Sequence, residues 1–405
     1  MSKISIVQGG VTSAKGFRAC GVEAGVKYRN RKDVALVVAD VPCSAAALFT
    51  TNRVAAAPVL YDREVIKSGR AQAVFANSGC ANACTGPQGL VDAESTARDV
   101  AAALGLDPKS VLVASTGVIG RPLPMDRIAK GVRLAASALG RTKDHAHAAA
   151  CAIMTTDTRP KEACARVTIA GKTVTIGGMS KGSGMIEPNM ATMLGFLTTD
   201  ASLPPPLLKR ALRGAVAKTF NHLVVDGDES TNDSVFLLAS GLAGLHIKKP
   251  GADFALFCEA LTEVCLSLAR QMAQDGEGAT KFVTVTVKGA RDEKDAERAA
   301  RAVAKSPLVK TSWFGRDPNW GRVLAAVGYS GADMDGERTD IFYDRVWAFR
   351  AGRVADESQL AKLKTVLAKP AFEVVVDLHL GSASSSIYTC DFSTEYVHIN
   401  GDYTT

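Results

Sequence analysis

The stretch Lys181-Gly-Ser-Gly-Met-Ile-Glu-Pro-Asn-Met-Ala-Thr-Met-Leu-Gly-Phe-Leu-Thr198 constrains the fold more than any other part of the chain. Its first half is glycine-rich, and Gly182 and Gly184 allow the positive φ and close backbone approach of a tight loop. Pro188 fixes its own φ and drives Glu187 towards an extended conformation. From Thr192 the run turns apolar and reads as a buried strand. A small hydroxyl residue therefore stands where a tight loop enters a strand. The plain reading is a β-branched residue that suits a strand. The chemical reading has the Thr192 hydroxyl facing the carbonyl of Ala191. Attack would move the acyl group from nitrogen to oxygen, and water would then cut the chain. The new terminal amine of Thr192 would serve as base for its own hydroxyl.

The rest of the sequence bounds the setting. The 405 residues suffice for two or three domains, each with its own core. With 47% apolar and 22% charged residues, the composition is that of an ordinary globular protein. No apolar run approaches a membrane span, and the first residues lack the apolar core of a signal peptide. A cytoplasmic protein with no membrane contact is expected. The nine cysteines are scattered without a C-x-x-C pair, which fits reduced thiols rather than a disulfide framework. His145 and His147 are close together in a polar stretch and read as a solvated helix face, so no metal is expected. The net charge of +7 comes from dispersed basic residues, which argues against nucleic acid as a partner.

Helical and extended patterns are interleaved. Strands are expected at 35–39, 46–50, 71–76, 111–114, 165–169, 173–176 and 282–287, and a strand with an acidic turn at 221–233. Leu90, Ala93, Ala97, Val100 and Leu104 mark one helix, and Pro124 with Asp126 begin another. Pro204-Pro-Pro206 starts a third. Phe257, Leu261, Val264, Leu268 and Met272 line a long fourth. Helix, strand and helix are expected through 291–326, then strands with one helix near 357–368. Several strands come in adjacent pairs, so the fold class is α/β (α+β), with mixed β-sheets flanked by helices rather than a doubly wound array. No nucleotide cofactor is expected. Gly171-Lys172-Thr173 resembles the end of a P-loop, but Arg166 stands where the first glycine is required.

Three further places invite chemistry. Ser115-Thr116-Gly117 ends a buried strand and is either a strand-end turn or an oxyanion hole, since glycine admits a backbone N–H and the hydroxyl adds a donor. Lys181 is either a solvated lysine or a charge that holds a carboxylate or lowers the pKa of a neighbouring amine. Glu277, between two glycines at a helix end, opposes the helix dipole. It is either an exposed turn residue or the partner of a cation.

Lys-Gly-Ser-Gly-Met-Ile and Pro-Asn-Met-Ala-Thr-Met-Leu resemble the signature of the ornithine acetyltransferase family, the self-cleaving glutamate N-acetyltransferases of arginine biosynthesis. The likeness extends over nearly the whole chain, through Phe49-Thr-Thr-Asn52, Ala56-Ala-Pro58, Met154-Thr-Thr-Asp-Thr158 and Asp226-Gly-Asp228. Asn232, Asp233, Asp317 and Trp320 lie in other family-like segments, with no chemistry assigned to them. The resemblance implies a layered sandwich of two sheets and cleavage between Ala191 and Thr192. Residues 1–191 would be an alpha chain and 192–405 a beta chain of one folded unit, assembled as a heterotetramer of two of each.

Thr192 would be the nucleophile, Thr116 and Gly117 the oxyanion hole. Substrate would be bound by Thr155, Lys181, Thr192, Glu277, Asn400 and Thr405. Acetyl would pass from N2-acetyl-L-ornithine to Thr192 and then to L-glutamate, without metal or organic cofactor. Whether acetyl-CoA also donates stays open. Cys80 departs from the family pattern, where asparagine is expected, and the segment between Asp157 and Lys181 reads as a longer hairpin. Two rivals remain: a self-processed amidase or aminopeptidase that passes its acyl group to water, and an uncut basic binding protein with salt-sensitive nucleic-acid affinity.

Overall fold

The computed structural model describes residues 4–187 and 193–402. The chain forms two compact units. Among the described residues, the first takes those up to Asn221 together with Asp228–Met272, and the second takes His222–Gly227 and those from Ala273 to Asp402.

The first unit contains β1 (Ile4–Val7), β2 (Phe17–Val22), β3 (Val34–Phe49), α1 (Ala57–Val65), β4 (Arg70–Cys80), α2 (Gly86–Leu104), β5 (Val111–Val118), α3 (Met125–Ala138) and α4 (Lys143–Ala152). It continues through β6 (Lys161–Ile169), β7 (Lys172–Lys181), β8 (Leu194–Thr199), α5 (Pro205–Lys218), β9 (Ser234–Ala239) and most of α6 (Ala252–Gln274). Its nine-stranded sheet runs β1-β6-β7-β8-β9-β3-β4-β5, with β2 also on β3. The pairs β4–β5 and β8–β9 are parallel and the others antiparallel. The sheet is therefore mixed, as the paired strand pattern implies.

The segments expected at 35–39 and 46–50 are one strand, β3. Its pairing with β4 shifts register between Val38 and Cys43, around Asp40-Val-Pro42, because proline has no N–H to give a ladder. Alternation along β3 sends its residues to opposite faces. Ala35, Val37 and Ala39 join Ala146, Ala149 and Ala150 of α4 in one cluster. Val34, Leu36 and Val38 join Ala93, Ala97 and Val100 of α2 and Ile128 and Val132 of α3 in another. A fully buried valine or leucine in such a cluster contributes about 1.5–3 kcal/mol.

Three elements differ from the sequence pattern. Ser234–Ala239 is a strand buried at every residue. It shows no alternation to read, because both its faces are covered. The acidic run before it is no strand; Phe220–His222 forms a turn of 3₁₀ helix instead. Leu90 of α2 is 37% exposed, and the buried face runs through Gly89, Asp92, Ala93, Thr96 and Ala97. The β6–β7 hairpin does form. Ala170 (φ 47°) and Gly171 (φ 75°) make its two-residue turn, in which both positions need positive φ.

The second unit contains β10 (Phe282–Ala290), α7 (Glu293–Lys305), α8 (Pro307–Phe314), α9 (Trp320–Gly328), β11 (Asp340–Tyr343), β12 (Val346–Arg350), β13 (Arg353–Val354), α10 (Glu357–Leu367), β14 (Ala371–Asp377), β15 (Ala383–Cys390) and α11 (Thr394–Asp402). Its sheet runs β13-β12-β11-β14-β10-β15, parallel only at β10–β14. The expected helix, strand and helix over 291–326 are three helices. Each opens on its own cap: Asp292 accepts from the Asp295 amide, Ser306 from Val309 and Asn319 from Arg322. Pro307 occupies the first turn of α8, where its missing N–H costs nothing. The apolar residues of 307–314 therefore pack as a short helix, with Trp313 fully buried against the edge of Phe372.

Among the described residues no helix is long and apolar enough to cross a membrane.

Candidate active site

In the first unit, the parallel pair β4–β5 ends in a bulge where Cys80 faces both Thr116 and Val118. Bulges re-aim backbone at strand ends. Gly117 has φ 128°, and a Cβ there would lie 2.4 Å from the carbonyl carbon of Gly79. Only glycine fits. Four polar side chains fix the bulge. Asn77 Nδ2 donates to the Cys80 carbonyl (2.9 Å), and the Ser115 hydroxyl donates to Asn77 Oδ1 (2.7 Å). Asn232 Nδ2 donates to the carbonyls of Ala81 (2.6 Å) and Ser115 (2.8 Å), and the Ser78 hydroxyl to that of Ala152 (2.9 Å). All four are buried. Asn77 and Asn232 thereby satisfy backbone acceptors around the bulge, Ser115 orients Asn77, and Ser78 ties the bulge to the end of α4.

Lys181 closes β7 opposite Leu194, the first residue of β8, so the link 182–193 joins two neighbouring strands. Its Nζ donates to Thr116 Oγ1 at 3.2 Å. Lys181 is thus half-buried and engaged rather than a solvated surface lysine. Thr116, whose lone pair receives that ammonium, keeps its own hydrogen to donate elsewhere.

Thr155 joins this group through a buried carboxylate. Asp157 accepts from the Thr155 amide (3.0 Å), the Gly182 amide (2.8 Å) and Lys161 Nζ (2.6 Å). The side chains of Asp157 and Lys161 are both fully buried. Burial alone would raise the Asp157 pKa. The charges of Lys161 and Lys181, with the hydrogen bonds from Lys161 and Gly182, outweigh it and hold the carboxyl down at about 2. The Thr156 and Ser183 hydroxyls pair at 2.7 Å, and Arg31 donates to the Thr155 carbonyl at 2.9 Å. The base of the 182–193 excursion is thereby tied to the segment carrying Thr155.

Cys80 turns out to be a packing residue. Its thiol donates to the Arg121 carbonyl at 3.3 Å, and burial pushes its pKa up, so it is held as an unreactive thiol. His145 pairs with the Thr142 hydroxyl and His147 with Glu162. Among the described residues no cluster of His, Cys, Asp or Glu is arranged to hold a metal.

In the second unit, Glu277 follows the end of α6 and is 8% exposed, not the exposed turn glutamate of the plain reading. Asn400 of α11 donates its Nδ2 to Glu277 Oε2 at 2.7 Å. Gly278 lets α11 approach, since a Cβ there would lie 2.5 Å from the Tyr396 amide nitrogen. The structure thus brings Thr116 and Lys181 together, links Thr155 to them through Asp157 and Gly182, and separately pairs Glu277 with Asn400. Ala191, Thr192 and Thr405 lie outside the described residues.

Sequence reasoning passed over Asp157, Lys161 and Asn77 as site-building groups and gave Asn232 no role. A lysine four residues after an aspartate in a polar stretch reads as solvated, and nothing local marks this pair as buried.

The profile of the ArgJ family matches residues 18–405. The arginine biosynthesis bifunctional protein ArgJ of Symbiobacterium thermophilum is 52% identical, over 98% of this chain and 99% of its own length. The glutamate N-acetyltransferase of Methanocaldococcus jannaschii is 45% identical, over 99% of this chain and all of its own. A chain of ornithine acetyltransferase from Mycobacterium tuberculosis, solved in complex with ornithine, is 43% identical over 47% of this chain and 99% of its own, with a TM-score of 0.44.

Proposed function

The chain belongs to the ArgJ family, and from that premise we propose that it is a self-cleaving acetyltransferase that moves acetyl from N2-acetyl-L-ornithine to L-glutamate. The precursor cuts itself between Ala191 and Thr192, leaving 1–191 and 192–405 as two chains that assemble as a heterotetramer. The freed amine of Thr192 takes the proton of its own hydroxyl, and the alkoxide attacks the acetyl carbonyl. Thr116 and the Gly117 amide donate to the oxyanion that forms. Ornithine leaves, and glutamate attacks the acetyl ester in the second half of a ping-pong cycle. Lys181 and Thr155 bind the carboxylate end of each amino acid, Glu277 and Asn400 the amine end of the donor, and Thr405 closes the set. The chemistry calls for no metal or organic cofactor. The setting is the cytoplasm.

The observation that carries this reading is the Lys181–Thr116 contact at the mouth of the 182–193 excursion. A hydroxyl polarised by an ammonium is a stronger and better oriented donor than one facing water. The strand-end turn, as the alternative, needs no lysine there.

The test has two stages. Intact mass and N-terminal sequencing of the purified protein should give two chains, the second beginning at Thr192. Incubation with N2-acetyl-L-ornithine alone should then add one acetyl group to that second chain, and glutamate should remove it as N-acetylglutamate. A chain that stays whole after long native incubation refutes the mechanism. Acetate released without glutamate would refute the transferase and favour the amidase.

A further inference from the structure

Lys310 is fully buried in α8. Taking an ammonium out of water costs several kcal/mol, and an apolar side chain of the same volume is as stable or more so. A lysine that merely filled this space would be a poor choice, and its contacts point to a different role. Its Nζ donates to Thr389 Oγ1 at 2.8 Å and to the Cys390 carbonyl, and lies 4.6 Å from the centre of the Phe392 ring. Its own carbonyl accepts from the Phe392 amide at 3.3 Å. Lys310 thus grips the end of β15 and the residues just beyond it from both backbone and side chain.

The other side of the same segment grips the Glu277 loop. Asp391 accepts from the amides of Thr280 and Lys281, both at 2.8 Å, and from the Thr280 hydroxyl. The Ser393 hydroxyl donates to the Gly278 carbonyl at 2.5 Å. Phe392 stacks on Tyr396 with ring centres 4.7 Å apart, and the Tyr396 carbonyl accepts from Asn400 Nδ2 at 3.0 Å. That same Nδ2 reaches Glu277. Residues 389–393 are therefore a brace between Lys310 and the Glu277–Asn400 pair.

We propose that Lys310 is the positioning residue for the Glu277–Asn400 pair: through Phe392 and Asp391 it sets the separation of the two side chains that receive the donor's amine. This rests on the function proposed above. A carboxylate and amide meant to hold an ammonium must stand within about half an ångström of the productive geometry, and that precision comes from the residues behind them. A buried cation that faces a ring and two oxygen acceptors holds its partners more tightly than apolar contact does, because each of those contacts is directional.

The test is kinetic, on the full-length processed enzyme, with N2-acetyl-L-ornithine as donor and glutamate as acceptor. Lys310→Met keeps the volume and removes the charge. It should raise the donor KM about 10-fold while leaving the glutamate KM within about 2-fold and kcat within about 3-fold. Phe392→Leu breaks the stack but keeps the lysine, and should act in the same direction. Glu277→Gln supplies the reference. On that background Lys310→Met should add less than about 2-fold, because the group it positions has already lost its charge. A purely structural lysine would lower the active fraction for both half-reactions alike and would add in full to Glu277→Gln. That outcome overturns the proposal, as does an unchanged donor KM in both variants or failure of both to fold. If the unaltered enzyme transfers no acetyl from this donor, the fault lies with the functional reading. A normal enzyme with a strong Glu277→Gln effect and silent Lys310→Met faults only the positioning role.

Discussion

Asp157→Asn is the sharpest test of how the first unit builds its site. The carboxylate receives three donors, Lys161 Nζ at 2.6 Å and the amides of Gly182 and Thr155 at 2.8 and 3.0 Å. Its side chain and that of Lys161 are fully buried. Asparagine puts an NH2 where an oxygen accepted, so one of the three donors faces another donor, and Lys161 loses the buried carboxylate at 2.6 Å. Removing one partner of a buried pair costs about 3–5 kcal/mol. Tryptophan fluorescence would report the wrong place, because Trp313, Trp320 and Trp347 all lie in the second unit. Hydrogen exchange of the 155–187 segment reads the effect directly, with the Gly182 amide as the diagnostic probe. Its opening free energy should fall by about 3 kcal/mol or more.

The acid limb gives an independent arm to the same experiment. The folded Asp157 carboxyl titrates at about 2, below its ordinary 3.8. Its contribution is complete above about pH 4 and is lost as the pH falls towards 2, about 2 kcal/mol in all. The variant should lack that part of the acid destabilisation. Protonation costs less than the mutation because the neutral acid keeps its acceptor oxygens in place. A loss under about 1 kcal/mol at pH 7, with an unchanged acid limb, would refute the view that this ion pair anchors the loop.

Three further outcomes follow from the same geometry. Lys181→Met should lower kcat/KM for acetyl transfer about 100-fold, since it removes the ammonium that orients the Thr116 hydroxyl; steady-state kinetics decide it. Gly117→Ala should destabilise the first unit by about 3 kcal/mol, read by urea unfolding in far-ultraviolet dichroism, because its Cβ would lie 2.4 Å from the Gly79 carbonyl carbon at a φ of 128°. Asn232→Ala should cost about 2 kcal/mol or more by the same assay, since it strips the donors from the buried carbonyls of Ala81 and Ser115.

Local rules read some of this molecule well. Pro204-Pro-Pro206, the repeat from Phe257 to Met272 and the Gly171 turn each declare themselves within a few residues, and α5, α6 and the β6–β7 hairpin form there. The strand at 234–239 is hidden because burial on both faces erases alternation. The helices at 307–314 and 320–328 are decided by Ser306, Pro307 and Asn319 rather than by the apolar pattern. Thr116 and Lys181 were legible as candidates, but not as partners, since 65 residues separate them. The buried charges were least legible of all. Lys310 meets Cys390 across 80 residues, and Asp157 meets Gly182 across 25. What makes a lysine structural rather than solvated is set by the far end of those contacts.

The order of strands bears on how a chain could cut itself and remain one protein. β8 and β9 follow Thr192 in sequence, yet they lie in the sheet between β7 and β3, which precede it. A break between Ala191 and Thr192 would sever only the excursion that joins β7 to β8. The pairing of Ile176–Lys181 with Leu194–Thr199, and of Ser44–Phe49 with Ser234–Ala239, does not pass through that link. The ladder bonds of β8 with β7 and of β9 with β3 would hold the two pieces after the covalent connection is gone. The cost is confined to the chain entropy of a loop of about a dozen residues, which grows only slowly with length. Lys181 pairs with Leu194, so the described ends of the link stand side by side at the same end of β7 and β8. A strand inserted between its own precursor's strands thus makes the proposed cut a change of chemistry at the site and leaves the sheet that presents it unaltered.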